Sequence, residues 1–236
     1  MLSMESRGTV GTCYLHPMNH DLDARLPVTA DDVEAAVDLC LETLDGALTA
    51  DWSVPAGELD WDCWETLEHA ADGLWAYAAQ VGSRRTPLDR YVALRWHRER
   101  PGGPANAVFG QREEGPAALL ELSEAGGALL AAVVRTARPQ VRAFHSYGVA
   151  DPEGFAAMGV VETLVHTEDV VRGLGLSWAP PGALCARALA RLFPEVAAAA
   201  GSDDDPWATL LWATGRAELP GRPRRVFERW HSAPLV

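Results

Sequence analysis

Glu162 and His166 stand four residues apart in a long helical segment, and a second histidine, His69, occurs in an earlier one. Side chains at positions i and i+4 lie one above the other on the same face of a helix. A carboxylate and an imidazole in this arrangement can bind one metal ion if a facing helix supplies a third ligand. Three protein ligands leave a coordination position open, which is typical of a catalytic metal site.

A simpler interpretation of the same residues stays open. Glu162 and His166 could hydrogen-bond each other or a neighbouring arginine, and His69 could be a surface histidine. The segment around the pair is apolar nearly all round, which predicts a central, buried helix. Because an unpaired buried charge is costly, a buried glutamate and histidine need partners, and a divalent cation would satisfy both.

Composition narrows the class of protein. The chain has 236 residues, of which 48% are hydrophobic, and this predicts one globular domain or one domain with an appendage. Its formal net charge of -13 opposes nucleic acid and anionic membranes as main partners. We find neither a signal peptide nor a run of ~18 apolar residues, so we expect a cytoplasmic protein with no membrane partner. Both a monomer and a homodimer are compatible with the sequence.

Apolar residues recur at helical spacing in four long segments, which predict four helices. Asp60 is expected to cap the second helix. The fourth has the clearest start, because Asp151 can cap it and Pro152 suits the first helical position. We place the four helices near residues 29–48, 61–81, 116–137 and 152–173.

Between residues 82 and 115 the helical period fails. Apolar and polar residues alternate weakly at 91–96 and 106–109, which is compatible with a small β-hairpin. A long crossover loop is the alternative. Two shorter helices are expected later, one after Pro181 and one capped by Asp205. The pattern predicts an all-α protein, namely a four-helix bundle with one long crossover loop and two short C-terminal helices. Its expected parts are a partly disordered N-terminal extension over 1–27, a metal-binding bundle over 28–176 and a short helical appendage over 177–236.

Two segments resemble a known family. Residues 61–71 (WDCWETLEHAA) and 161–175 (VETLVHTEDVVRGLG) resemble the second and fourth helices of the metal-binding four-helix bundles called DinB-like or YfiT-like. The resemblance is to the branch that contains the N-terminal domain of mycothiol-dependent maleylpyruvate isomerase. It covers roughly residues 28–176, and residues 213–216 (ATGR) resemble these proteins more loosely. Residues 177–236 are short and are expected to form two helices and a tail, not the isomerase's second α/β domain.

The resemblance implies a metal site and a thiol. It implies that His69, Glu162 and His166 bind a divalent metal, usually zinc, with water or a thiol in the open position. Members of the family commonly use a low-molecular-weight thiol such as mycothiol, as cofactor or co-substrate. We therefore expect a metal-dependent thiol transferase or isomerase whose partners are a small thiol and a small electrophilic substrate. A non-catalytic module that holds metal or a small ligand, and a purely structural bundle, are the alternatives.

Further side chains are candidates for the surroundings of the metal. Asp169 lies about one turn beyond His166 on nearly the same face, so it could accept a hydrogen bond from the ring of His69 or His166 and orient it. A solvated charge near the end of the helix is the alternative. Four side chains are candidates for the thiol or substrate pocket: Trp75, Met158, Arg142 and His145. The last two precede the fourth helix, and they could meet a carboxylated ligand or be ordinary loop residues. The tryptophan suits the core better than the pocket.

Overall fold

A computed structural model describes residues 25–201 and 203–235, so the extension expected over 1–27 lies outside the described residues as far as residue 24. Within the described part of the chain the fold is all-α, as predicted, with seven α-helices, one short 3-10 helix and no strand. The α-helices are α1 (Ala30–Asp45), α2 (Cys63–Gly82), α3 (Pro116–Thr136), α4 (Pro152–Gly173), α5 (Gly182–Leu192), α6 (Pro194–Ala199) and α7 (Pro206–Ala213).

Capping residues decide where the two helices of the candidate site begin. Asp151 caps α4 as predicted, because its side chain accepts a hydrogen bond from the backbone N–H of Gly154. The prediction of Asp60 as the cap of α2 was wrong. Asp62 is the cap: its side chain accepts from Glu65 N at 2.7 Å, and the Glu65 carboxylate accepts from Asp62 N at 3.1 Å. This reciprocal capping box satisfies two backbone donors at once, which a cap at position 60 would not do.

Helices α2 and α4 pack against each other in antiparallel directions. The Cys63 thiol donates to the Val170 carbonyl at 3.7 Å, where α2 begins and α4 ends. Further along α2, the Tyr77 ring contacts Phe155 near the start of α4, with centroids 5.8 Å apart. A Cβ at Gly173 would lie 2.5 Å from the Cys63 sulphur, so only glycine allows this approach. Helix α4 is buried nearly all round, which confirms the prediction of a central helix.

Helices α1 and α3 complete the packing around this pair, since α3 contacts α1, α2 and α4, and α1 contacts α3 and α4. By length and composition alone, α3 is apolar enough to cross a membrane, but a core helix of a soluble protein passes the same test. Leu119 and Leu130 of α3 face the core, whereas Leu129 is 40% exposed. The expectation that the chain has no membrane partner therefore stays a prediction.

The chain between α2 and α3 forms a long crossover loop. An isolated bridge pairs His97 with Asn106 through two N···O contacts of 3.0 Å. No strand forms around this bridge in the described residues. Of the two alternatives left open for this segment, the structure therefore contains the crossover loop and not the hairpin.

Buried carboxylates on α2 hold this crossover loop in place. Asp72 accepts hydrogen bonds from the backbone N–H groups of Ala107 and Val108, at 2.9 and 2.8 Å. Glu68 accepts one from Gly110 at 2.9 Å. Because these backbone donors already bond to side chains of α2, the loop is ordered by the helix beneath it and needs no strand partner.

Both predicted C-terminal helices are present, since α5 begins after Pro181 and Asp205 caps α7, and the described residues contain a third helix, α6, between them. Helix α6 is separate because Phe193 leaves the helical region, at φ -132° and ψ 55°, and Pro194 then begins a new helix. Arg191 of α5 is fully buried and donates to Asp151 at 2.8 Å and to the carbonyls of residues 231 and 232, both at 3.2 Å. These bonds join the C-terminal tail to the start of α4.

Candidate metal centre

Helices α2 and α4 bring three potential metal ligands together. His69 lies near the start of α2 and His166 near the end of α4, and antiparallel packing places them opposite each other. Their ring centroids are 5.6 Å apart. Nε2 of His166 lies 3.0 Å from Oε2 of Glu162. One ligand atom from each of the three side chains lies within 4.8 Å of the other two, so this cluster could hold a metal ion.

A buried ion pair orients the ring of His166. Asp169 Oδ2 lies 3.2 Å from His166 Nδ1, so Nδ1–H donates to the carboxylate and Nε2 is left to face Glu162. Arg216, just after α7, holds Asp169 through Nε, 3.1 Å from both carboxylate oxygens, and through Nη2, 2.7 Å from Oδ2. Of the two rings considered for Asp169, the structure thus places His166 beside it.

The ring of His69 is oriented by the crossover loop. Asn106 Oδ1 lies 2.9 Å from His69 Nδ1, and Asn106, a residue of this loop, is fully buried. With Nδ1–H donating to this amide oxygen, the free lone pair of His69 is on Nε2. Both imidazoles therefore have one nitrogen engaged by the protein and the other available to a ligand.

Sequence reasoning assigned no role to Asn106 or Arg216. For Arg216 there was a signal, the loose family likeness of residues 213–216, but nothing in the sequence pairs it with Asp169. For Asn106 there was none, because its place beside His69 depends on the path of the crossover loop.

Burial and neighbouring charges determine the protonation of the cluster. Burial alone would raise the pKa of Glu162, but the hydrogen bond and charge of His166 outweigh it and lower that pKa to about 2. Burial alone would lower the pKa of His166, but hydrogen bonds with Asp169 and Glu162 outweigh it and raise that pKa. Burial, with His166 adjacent, lowers the pKa of His69. A metal ion would thus have to displace the proton from Nε2 of His166, the nitrogen that faces Glu162.

Trp61 covers one side of the two histidines. Its ring centroid lies 5.0 Å from that of His69 and 6.4 Å from that of His166. The indole Nε1 donates to the carbonyl of Gly102 at 2.9 Å, which ties Trp61 to the crossover loop. The cluster is therefore shielded by an aromatic side chain that the loop holds in place.

A pocket of about 340 Å³ reaches His69 and Glu162. Small residues of α2, Gly73 and Ala76, form part of its lining, and aromatic rings form much of the rest. A larger polar groove, of about 600 Å³, lies along the C-terminal tail and shares no lining residue with this pocket. The pocket beside the cluster is thus the cavity in which a ligand could reach the candidate metal ligands.

The four pocket candidates have different environments. His145 lines the pocket and is 5% exposed. Met158 is fully buried in the apolar core, because its position on α4 faces the neighbouring helices. Trp75 packs against α3 and donates to the Leu122 carbonyl at 3.1 Å. Arg142 donates to carbonyls of its own loop and lines a separate surface pocket. The structure therefore places Trp75, Met158 and Arg142 outside the pocket.

Replacing His145 with phenylalanine is expected to make the protein less sensitive to acid. Burial lowers the pKa of His145 from 6.5 to about 4, so between these values the unfolded chain binds a proton that the folded chain does not. The wild type should therefore lose about 2 kcal/mol more than the variant between pH 7 and pH 5. Urea unfolding of both proteins at the two pH values measures this difference. Equal losses would show that His145 is protonated freely in the folded state.

Comparison with protein-family models, with curated proteins and with solved structures found no match for this chain.

Proposed function

We propose that this chain is a divalent-metal-dependent enzyme that uses a low-molecular-weight thiol, of the mycothiol kind, to transfer sulphur to a small electrophilic substrate or to isomerise one. One observation supports this most directly. His69, Glu162 and His166 direct ligand atoms to within 4.8 Å of one another, and the pocket of about 340 Å³ reaches two of them. A three-ligand site beside a cavity is the arrangement that leaves room for a reacting group.

The donor set suits zinc. Two imidazoles and one carboxylate are ligands that zinc accepts at about 2.0–2.2 Å, and two such donors on one tetrahedral ion stand about 3.3 Å apart. The 3.0 Å between His166 Nε2 and Glu162 Oε2 is close to that spacing. Asn106 and Asp169 each engage the second nitrogen of one imidazole, as the partners of zinc-bound histidines usually do.

The side chains of the site would bind and orient the metal and the organic ligand, and they would exclude bulk water. A bound divalent cation would supply Lewis acidity, which lowers the pKa of water to about 7 and deprotonates a thiol. The Tyr77 hydroxyl, 3.4 Å from Glu162 Oε1, donates to the carboxylate oxygen on the pocket side. Trp61 keeps bulk water from the histidine rings. The apolar pocket would hold the organic part of the thiol or of the substrate close to the cluster.

We also propose that α1–α4 form a four-helix bundle of the DinB-like kind. Support comes from the antiparallel packing of α2 on α4, from the long crossover loop and from the positions of the three ligands on these two helices. Arg216 adds support from outside the four helices, because residues 213–216 resemble the same family and Arg216 contacts Asp169.

Metal content and thiol binding test the proposal together. Protein purified without a histidine tag should contain close to one zinc ion per chain. Mycothiol should then raise the melting temperature of the metal-loaded form, because a ligand that binds only the folded state stabilises it by mass action. The form stripped of metal by a chelator should show no such shift. Equal shifts in the two forms would mean that the thiol does not bind through the metal.

The absence of bound metal would favour the simpler interpretation. In that case His166 and Glu162 form an ion pair across their 3.0 Å contact and the cluster is structural. Bound metal without thiol-dependent turnover of electrophiles would instead indicate a non-catalytic binding module.

A further inference from the structure

The pocket beside the candidate metal centre has aromatic and small apolar walls. Gly73 and Ala76 line it on α2, and Tyr91 and Trp96 line it on the crossover loop. His145 lies among aromatic rings, with centroids 6.0 Å from Tyr77 and 6.1 Å from Tyr91. Apart from the edge formed by the metal cluster, a ligand in this pocket would therefore meet mainly ring faces and methyl groups.

The charged groups of the lining are acidic. Among the residues that the structure describes, no arginine lines this pocket, and the chain contains no lysine. Of the two carboxylates in the lining, Asp72 accepts two backbone hydrogen bonds from the crossover loop, and Glu162 lies against His166. Arg142, expected from the sequence to meet a carboxylated ligand, lines a different surface pocket. An anionic group deep in this pocket would have no cationic side chain as partner.

We propose that this pocket is the subsite for an uncharged aromatic group of the electrophilic substrate, and that it rejects substrates with a carboxylate in that part. The identification of the bound group as the electrophile rests on the proposed function. Flat rings gain from edge-to-face and stacked contacts with Tyr91, Trp96 and His145. A buried carboxylate without a partner loses its hydration without compensation. A cavity of about 340 Å³ suits one or two fused rings, since small-molecule sites span about 300–1,000 Å³.

A pair of probes that differ in charge tests the inference. Binding of 2-naphthol and of 2-naphthoate to the full chain is measured by isothermal titration calorimetry. Metal-free protein is used first, so that the carboxylate cannot coordinate an ion. We expect 2-naphthol to bind and 2-naphthoate to bind at least about tenfold more weakly. Equal or tighter binding of 2-naphthoate, or no binding of 2-naphthol, would overturn the inference.

Two glycine variants show whether the probe binds in this pocket. A Cβ at Gly73 would have only the Tyr77 ring near it, at 3.9 Å, so Gly73→Leu fits its helix and fills the pocket. Gly46 lies at the end of α1 in helical conformation with open space around it, so Gly46→Leu is the matched control. We expect Gly73→Leu to weaken 2-naphthol binding at least about tenfold and Gly46→Leu to leave it unchanged. Unchanged binding in Gly73→Leu would place the probe elsewhere and overturn the inference.

A gain-of-function variant tests the charge argument separately. Ala76→Arg would introduce a cation into the lining, so it should reverse the preference and favour 2-naphthoate over 2-naphthol. A variant that still prefers 2-naphthol, although circular dichroism shows it folded, would contradict the charge argument.

The outcomes for the pocket and for the metal are independent. If the protein holds no metal but discriminates between the probes as described, the aromatic subsite stands and the metal-dependent function fails. If the protein holds metal and binds neither probe, the subsite inference fails alone.

Discussion

Replacing His166 with alanine is expected to abolish near-stoichiometric metal binding. His166 provides one of only two imidazoles in the cluster, and its Nε2 is the nitrogen that Asp169 leaves free. Removing a residue that only hydrogen-bonds a metal ligand lowers metal affinity roughly 10–100-fold. The decrease in metal affinity should be larger here, because the substitution removes a metal ligand itself. The measurement is metal content of untagged protein, followed by competition with a zinc chelator of known affinity.

A matched control removes an imidazole elsewhere. His231 is exposed on the C-terminal tail and belongs to no ligand cluster among the described residues, so His231→Ala should keep its metal. Glu162→Gln provides an intermediate case, because an amide preserves much of the shape and hydrogen bonding of the carboxylate but is a weaker zinc ligand. Metal content that is unchanged in His166→Ala would reject the site, whatever the behaviour of the other two variants.

The helices and the pairing of Glu162 with His166 could be predicted because both depend on local spacing, whereas His69 was added through the family resemblance. The i, i+4 relation of Glu162 and His166 places them on one helix face wherever that helix lies. The apolar residues on all sides of α4 are a property of the sequence, and they correctly indicated that this helix is buried. The cap of α2 was misassigned although the deciding signal was present. Asp62 and Glu65 stand in the spacing of a capping box, whereas Asp60 has no such partner.

The roles of Asn106 and Arg216 could not be predicted because both residues lie in segments without helical periodicity. Asn106 reaches His69 only because Asp72 and Glu68 hold the crossover loop through its backbone N–H groups. Such side chain to backbone bonds depend on the path of the loop and leave no pattern in the sequence. The position of Arg142, one of the pocket candidates, likewise depends on the path of its loop, where its guanidinium donates to the carbonyls of Pro139 and Val141.

Replacing Arg216 with methionine is expected to lower both the free energy of unfolding and the affinity for metal. Asp169 is 4% exposed, so without the guanidinium its charge would remain buried with only His166 as a partner. Removing one member of a buried ion pair destabilises a protein by about 3–5 kcal/mol. Urea unfolding at pH 7 measures this cost. Arg172→Met is the control, because Arg172 pairs with Glu168 at a partly exposed site and should cost no more than about 1 kcal/mol.

The double variant Asp169→Leu with Arg216→Met separates the two effects of the ion pair. It leaves no buried charge unpaired, so its stability should exceed that of Arg216→Met alone. Its metal affinity should nevertheless stay about 10–100-fold below that of the wild type, because nothing then holds Nδ1 of His166. A purely structural ion pair would give the opposite result, with metal affinity recovering together with stability. The role of Arg216 at the metal site is therefore decided by affinity in a variant whose stability has been restored.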